Sequence, residues 1–310
     1  MSGKNATETL PADAGGIASA AQILRDDGLV AVPTETVYGL AARADSDVAV
    51  ARIYRAKGRP SFNPLIVHVA SVEQAQALAQ FSDQATALTD IYWPGPLTLV
   101  LPRRADADLA ADVTAGLDTI ALRMPDHPVM RAVIEAVGAP LAAPSANRSG
   151  FVSPTAAAHV LASLDGRIDA VLDAGPCRAG LESTIVAVRD DGSLALLREG
   201  PVSIEGVRQA AQGRIEAPGQ MLSHYSPGKP VRLDVTQPHD DEFWIGFGEW
   251  QGDVSLSPSG DLTEAAASLY DCLHRASIAD RSAVAVAPVP ENGIGRAIND
   301  RLRRAAAPRD

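Results

Sequence analysis

Apolar residues along the first two thirds of the chain follow two patterns in turn. Short unbroken runs alternate with stretches where the apolar positions recur every three or four residues, the texture of strands separated by helices. Ile17, Ala20, Ala21 and Leu24 share one face at helical spacing, and Gly28 supplies the stop. Leu29 to Val32 then reads as a strand. Asp47 caps a helix carrying Val50, Ile53 and Tyr54 towards Lys57. Leu65 to Val69 is a strand of the kind buried on both faces, followed by helical material through Ala79 and again from Asp83 to Tyr92. W-P-G-P at 93–96 is a hard break. Strands follow at Leu97 to Leu101 and at Thr119 to Leu122, the latter delivering Arg123 at its end. His127 to Val137 is helical with Gly138 as its stop. Leu141 to Ala143 leads into P-S-A-N-R-S-G, and S-P-T at 153–155 starts a further helix. Strands at 170–172, 184–188 and 194–197 close the region.

The pattern predicts an α/β sheet with mixed pairing. Residues 1–12 are small and polar and read as a flexible tail before a first domain over 13–210. After Gln209 the texture changes. A-P-G-Q-M-L-S-H-Y-S-P-G-K-P, 217–230, is rich in proline and glycine and has no period, so 211–232 reads as a linker. A smaller α/β unit of Rossmann-like texture occupies 233–310, with strands at 243–247 and 284–289 and helices at 263–276 and 294–306. Its G-F-G-E-W-Q-G misses dinucleotide-loop spacing by one residue, and no helix opens there.

Composition agrees with two packed domains: 310 residues, 46% of them hydrophobic. A formal charge of −11 disfavours general adhesion to nucleic acid or to an anionic membrane, so any phosphate site must be a local concentration of cations. Of 27 basic residues only Lys4, Lys57 and Lys229 are lysines. Cys177 and Cys272 are isolated, which implies neither a disulfide framework nor a thiolate metal site. No signal pattern or bilayer-length apolar run is present, and a cytoplasmic location is expected.

One stretch concentrates chemistry. In A-K-G-R-P-S-F-N-P-L-I-V-H-V, 56–69, Lys57 and Arg59 flank a glycine, two prolines stiffen the loop, and Asn63 adds an amide. A basic, rigid loop feeding a buried strand suits an anion whose shape is gripped. The other reading is a basic surface turn with His68 as a core histidine. There is no G-x-x-x-x-G-K-[ST] loop, no G-x-S-x-G elbow and no H-E-x-x-H pair, and the histidines are scattered. What remains is a set of polar groups at strand ends, where ligands of open α/β sheets gather: Thr36, Lys57, Arg59, Asn63, Thr119, Arg123, Ser145, Asn147, Ser153, Ser183 and Arg198.

P-T-E-T-V-Y-G-L, K-G-R-P-x-x-N-P-L-I-V-H-V, W-P-G-P-L-T, L-R-M-P, A-P-S-A-N and L-E-S-T-I-V stand in the order found in threonylcarbamoyl-AMP synthases of the TsaC/YrdC type, and the chain resembles that family over nearly its whole length. S-H-Y-S-P and G-I-G-x-A-I-N-D-R-L resemble its longer, two-domain branch. The resemblance implies a YrdC-like twisted, mixed open sheet with helices around a cationic cleft. It implies a reaction in which L-threonine and bicarbonate form N-carboxythreonine, whose carboxylate attacks the α-phosphorus of ATP and expels pyrophosphate. The product would supply partner proteins that modify a tRNA adenosine beside the anticodon, without tight tRNA binding by this chain.

By resemblance, Arg59, Asn63, Ser145, Ser153 and Arg198 would hold the nucleotide, with Lys57 nearby, Thr119 adding a contact and Tyr225 reaching it from the linker. Arg123 would meet the threonine carboxylate, and Thr36, His68, Ala143 and Ser183 would complete that pocket. No covalent catalyst or protein-held metal is implied; Mg²⁺ would arrive with ATP. The linker is either a cover that excludes water or a passive tether. R-E-G at 198–200 departs from the R-P-G expected there, which bears on the local turn. Two other classes stand beside this one. A non-catalytic RNA-binding module is opposed by the charge and by the lack of interleaved basic and aromatic residues. The related domain of hydrogenase-maturation carbamoyltransferases comes with zinc fingers for which this chain has too few cysteines.

Overall fold

The computed structural model describes residues 6–210, 215–220 and 224–308. The chain begins with β1 (Glu8–Pro11), α1 (Ala14–Arg25), β2 (Val30–Val32), β3 (Gly39–Arg43), α2 (Asp47–Lys57) and β4 (Ile66–His68). α3 (Val72–Gln76), α4 (Asp83–Tyr92), β5 (Leu97–Pro102), β6 (Thr119–Arg123), α5 (Pro128–Val137) and β7 (Leu141–Ala142) follow. α6 (Ala157–Leu164), β8 (Ala170–Asp173), β9 (Thr184–Val188), β10 (Leu194–Arg198) and β11 (Arg208–Gln209) complete the larger unit. The smaller one holds β12 (Val231–Arg232), β13 (Glu242–Gly246), β14 (Val254–Ser255), α7 (Leu262–Ile278), β15 (Ala283–Val286) and α8 (Gly295–Ala306).

Eleven strands form one sheet in the order β1-β8-β2-β3-β7-β4-β6-β5-β9-β10-β11. Pairing is mixed, as the pattern predicts: β4 runs parallel to β6 and β5 parallel to β9, while β5 and β6 are antiparallel. The second sheet, β12-β15-β13-β14, pairs in parallel throughout.

The period of two decides which residues face which layer. Ala31 packs into the core that includes Val50 and Ile53 of α2. Its neighbours Val30 and Val32 turn the other way, into the core shared with α1 and α5. At the other half of the sheet the alternation persists but the cover changes. Leu99, Leu122 and Val186 join the core beneath the helices, while Val100, Ala121, Ile185 and Ala187 cluster with Ala217 of the connecting segment. That half-face, covered by a loop rather than a helix, is where the candidate residues meet.

Two sequence expectations need correction, and one strand had no reading from sequence. Within the expected tail, residues 1–5 lie outside the described set, but Glu8–Pro11 is an edge strand in register with Ala170–Asp173. Thr7 adds a hydroxyl bond to Ile168 O (3.2 Å). β8 supplies the pairing that a polar segment lacks on its own. The helix expected from 153–155 begins at Ala157, because the Ser153 hydroxyl is spent on Glu182 instead of capping, while Thr155 bonds locally to His159. Gly39–Arg43, too small and unpatterned to read as a strand, is β3, sandwiched between β2 and β7. Within the expected linker, 211–214 and 221–223 lie outside the described residues.

The two units share buried surface. Val37, Val152, Leu181 and Tyr225 belong to the same apolar cluster as Leu269, Tyr270 and Leu273 of α7. Gly180 (φ +71°) permits the approach, since a Cβ there would stand 2.4 Å from the Ala266 carbonyl oxygen.

Candidate functional site

Thr36, Arg59, His68, Arg123, Ala143, Ser145, Arg198 and Tyr225 line one pocket of ≈ 560 Å³ counting its mouth. Loops after β2 and β7, the ends of β4, β6 and β10, and the connecting segment converge there. Lys57, Asn63, Thr119, Ser153 and Ser183 do not line it. Four of these five stand directly behind residues that do.

Arg59 follows Gly58, the left-handed cap of α2 (φ 61°). Its Nε donates to Asn63 O (3.1 Å), and its Nη2 donates to Asn63 Oδ1 (2.8 Å) and to Pro64 O (2.7 Å). Asn63 is thus a bracket for the arginine. Lys57 is 3% exposed and donates to Ser145 O (2.6 Å) and Asn147 O (2.5 Å), so it pins the 145–147 loop from below. Burial, with Arg59 beside it, pushes the Lys57 ammonium well below its ordinary value. Burial also brings Arg59 down to about 10.

Arg198 leaves β10 at a bulge between Leu196 and Arg198. Its Nε donates to Ser183 O (3.0 Å) and its Nη2 to Ser183 Oγ (3.0 Å), while Ser183 Oγ shares a proton with Thr98 Oγ1 (2.7 Å). Ser183 therefore orients the guanidinium. Glu199 leaves the turn intact: it faces Arg296 of α8 (3.8 Å), and Gly200 packs where a Cβ would lie 2.4 Å from Thr184 N.

Across the pocket, β4 and β6 place His68 opposite Arg123. Burial first, then the neighbouring Arg123 charge, lowers His68 to about 3, so the ring is neutral; its buried Nδ1 has no partner among the described residues. Arg123 Nη2 donates to Glu35 Oε1 (2.6 Å) in an ion pair whose side chains are 4% and 3% exposed, and Nε reaches Gly95 O (3.3 Å). Thr34 Oγ1 donates to Val37 O (2.7 Å), which spends its proton. Thr36 must then donate to Thr34 across their 2.8 Å contact, and it presents lone pairs for any further partner. Thr119, at the far end of β6 and paired with Pro102, stands about 13 Å along the strand from Arg123 and outside the lining.

Two titratable lining residues, Glu182 and His224, were not candidates from sequence. Glu182 accepts from Ser153 Oγ (2.6 Å), Tyr270 OH (2.7 Å) and Arg301 Nε (3.2 Å). Burial opposes its charge, but Arg301 and Arg198, with the two hydroxyls, prevail and hold it at about 2. His224 is brought to about 3 by burial and is neutral. Beside it Tyr225 (φ 64°) is 1% exposed, stacks on Tyr270 at 5.5 Å and lies under the Arg301 guanidinium at 5.7 Å. Gly219 rests on Arg198, where a Cβ would meet Arg198 Cδ at 2.7 Å, and its carbonyl accepts from Arg304 Nη1.

The charges divide the pocket. Among the described residues neither Arg59 nor Arg198 has a carboxylate within ion-pair distance, whereas Arg123 is matched by Glu35 and Arg301 by Glu182. One side therefore attracts a polyanion; the other is nearly neutral and rich in directed donors and acceptors. Among the described residues no group of three or more His, Cys, Asp or Glu side chains is placed to hold a metal ion. No helix there is long and apolar enough to cross a membrane.

A family model described as "Telomere recombination" (Sua5_yciO_yrdC) matches residues 22–200, and one described as "Threonylcarbamoyl-AMP synthase, C-terminal domain" matches 193–307. The chain is 40% identical to the threonylcarbamoyl-AMP synthase of Bacillus subtilis, over 94% of this chain and 93% of that one. It is 37% identical to the Pyrococcus abyssi protein of the same name, over 93% of each. The crystal structure of P. abyssi Sua5 complexed with L-threonine superposes with a TM-score of 0.88 at 35% identity, covering 97% of both chains. Escherichia coli YciO, at 21% identity over 65% of this chain and TM-score 0.57, shares the fold of the larger unit.

Proposed function

Since the chain belongs to the Sua5/YrdC family of threonylcarbamoyl-AMP synthases, in its long two-domain form, we propose that this pocket makes threonylcarbamoyl-AMP from L-threonine, bicarbonate and ATP with release of pyrophosphate. The observation that carries the reading is the division of charge inside one cavity. Arg59 and Arg198, fixed by Asn63 and Ser183, form the side suited to the triphosphate, with Ser145 held against it by Lys57. In this reading magnesium enters as part of the Mg-ATP substrate, and both Glu182 oxygens keep their hydrogen bonds within the protein. The end edge of the Arg123 guanidinium is left for an amino-acid carboxylate, and Thr36 and neutral His68 offer acceptors beside it.

In this reading the amino group takes up CO₂ from bicarbonate, and an oxygen of the new carbamate attacks the α-phosphorus. The P–O bond to the β-phosphate breaks and pyrophosphate departs with the charge that Arg59 and Arg198 stabilise. No side chain becomes covalently attached; the contribution is alignment of reactants. Pro218, Gly219, His224 and Tyr225 line the pocket, and in this reading they keep water from a carbamate and an acyl phosphate that both decompose in it. The product then passes to proteins that transfer the threonylcarbamoyl group to a tRNA adenosine. The test is pyrophosphate release from Mg-ATP and bicarbonate with and without threonine. Release that ignores threonine rejects the proposal.

A further inference from the structure

We infer that Glu35 is a specificity-determining residue: by neutralising Arg123 it closes the amino-acid side of the pocket to plain anions and reserves it for a zwitterion. The inference rests on the function proposed above and concerns a residue that does not line the cavity.

Glu35 follows Thr34 in the loop after β2, and its carboxylate lies against the end of β6 in a setting that is 3% exposed. Its Oε1 stands 2.6 Å from Arg123 Nη2. Gly95 O takes Nε, which lies on the same lateral edge of the guanidinium as Nη2. With that edge occupied, a ligand carboxylate has the end edge, through Nη1 and the second Nη2 proton. The loop carrying Glu35 is itself tied down, since Ala179 N donates to Glu35 O (2.7 Å). The guanidinium plane is therefore set before any ligand arrives.

The same pair sets the local charge. An anion approaching Arg123 meets the Glu35 charge of its own sign one residue behind, so the attraction of a lone carboxylate or small inorganic anion is largely cancelled. A zwitterion does not suffer this, because its ammonium is drawn by Glu35 while its carboxylate is drawn by Arg123. Glu35 Oε2 is buried and has no partner among the described residues, so part of the carboxylate's capacity is uncommitted. Neighbouring His68 is neutral and adds no cation to upset the balance. Elsewhere in the pocket Arg59 donates to carbonyl and amide oxygens of its own loop and has no carboxylate partner among the described residues, and that is where a cation serves a triphosphate.

The experiment uses the full chain, Glu35→Gln and Glu35→Asp, with sodium acetate as a carboxylate that lacks an amine. Threonine and ATP are each titrated with acetate present and absent, reading pyrophosphate release and, separately, the thermal shift produced by threonine. In the wild type acetate should leave the half-saturating threonine concentration unchanged. In Glu35→Gln it should raise that concentration about tenfold in competitive fashion, with half-saturating ATP unchanged. Glu35→Asp, which keeps the charge, should stay acetate-resistant even where shortened reach weakens threonine binding. Acetate resistance in Glu35→Gln equal to wild type overturns the inference, as does loss of resistance in Glu35→Asp should the Gln variant fail to fold. Failure of the wild type to release pyrophosphate in response to threonine would instead reject the proposed function; the threonine thermal shift would still report on Glu35.

Discussion

Tyr270 and Glu182 meet phenol to carboxylate across 2.7 Å, although one belongs to the helix α7 of the small domain and the other lines the pocket of the large one. Arg301 of α8, fully buried, reaches the same oxygen at 3.2 Å. The small domain thus stands one hydrogen bond from the site, and its α8 also holds the connecting segment through Arg304 and Gly219.

Removing the cation of this joint should be costly. Arg301→Met leaves Glu182 buried with only hydroxyl partners, and a broken buried pair typically loses about 3–5 kcal/mol. The double variant Arg301→Met/Glu182→Gln removes the stranded charge and should recover part of that loss. Urea unfolding of the wild type, the single and the double variant checks this; a double variant no more stable than the single one contradicts it.

Arg59→Ala should reduce turnover at least tenfold, about 1.4 kcal/mol of transition-state stabilisation. Among the described residues the guanidinium has no carboxylate partner, and the three hydrogen bonds it donates to its own loop hold it in place. Steady-state pyrophosphate release is the measurement, and unchanged turnover would remove Arg59 from the site.

Tyr225→Ala should leave threonine binding nearly intact and weaken retention of the nucleotide. The ring packs with His224 and lies beside Gly219, which rests on Arg198. Calorimetric titration of each substrate separates the two affinities. Equal loss of both would indicate a collapsed pocket instead.

How far the sequence disclosed this site depends on the range of the contacts. Lys57, Arg59, Asn63 and Ser145 sit in short strings whose loop stiffness is local, and the structure places Arg59 and Ser145 in the lining of one cavity with Asn63 and Lys57 behind them. The counter-charges did not. Glu35 lies between Thr34 and Thr36, and Glu182 beside Ser183, yet each acquires its role only through a partner 88 residues along the chain. Helix starts show the same limit. Ser153 looks like a cap, but Glu182 claims its hydroxyl, and the helix begins four residues later at Ala157. Strand β1 escaped notice because its order comes from β8, to which nothing in its own polar residues points.

Acid should loosen the joint between the domains before it protonates the carboxylates. His159 of α6 and His274 of α7 stack at 3.9 Å with planes 17° apart. Thr155 N–H donates to His159 Nδ1 (3.3 Å), so neutral His159 carries its proton on Nε2, facing Asp271 Oδ1 at 3.4 Å. His274 Nε2 donates to Ser153 O (3.1 Å), the residue whose hydroxyl holds Glu182. Burial lowers both histidines, His274 to about 4, where the neighbouring His159 ring also opposes its charging, while Asp271 partly offsets the effect of burial on His159. A histidine with a depressed folded value contributes stability that is complete above the unfolded value and is lost as pH falls below it. Between pH 6.5 and about 4 the unfolded chain therefore binds a proton that the folded His274 ring refuses, and His159 acts in the same direction. Each such ring costs up to about 1.4 kcal/mol per pH unit. The carboxylates held at about 2, Glu182 and Glu242, withdraw their share only below their ordinary value of 4.5. Urea unfolding at pH 7, 6 and 5 should show stability falling throughout, and His274→Gln should have a shallower slope whatever its stability at pH 7. An identical slope in the variant would mean that the stacked pair does not carry this dependence.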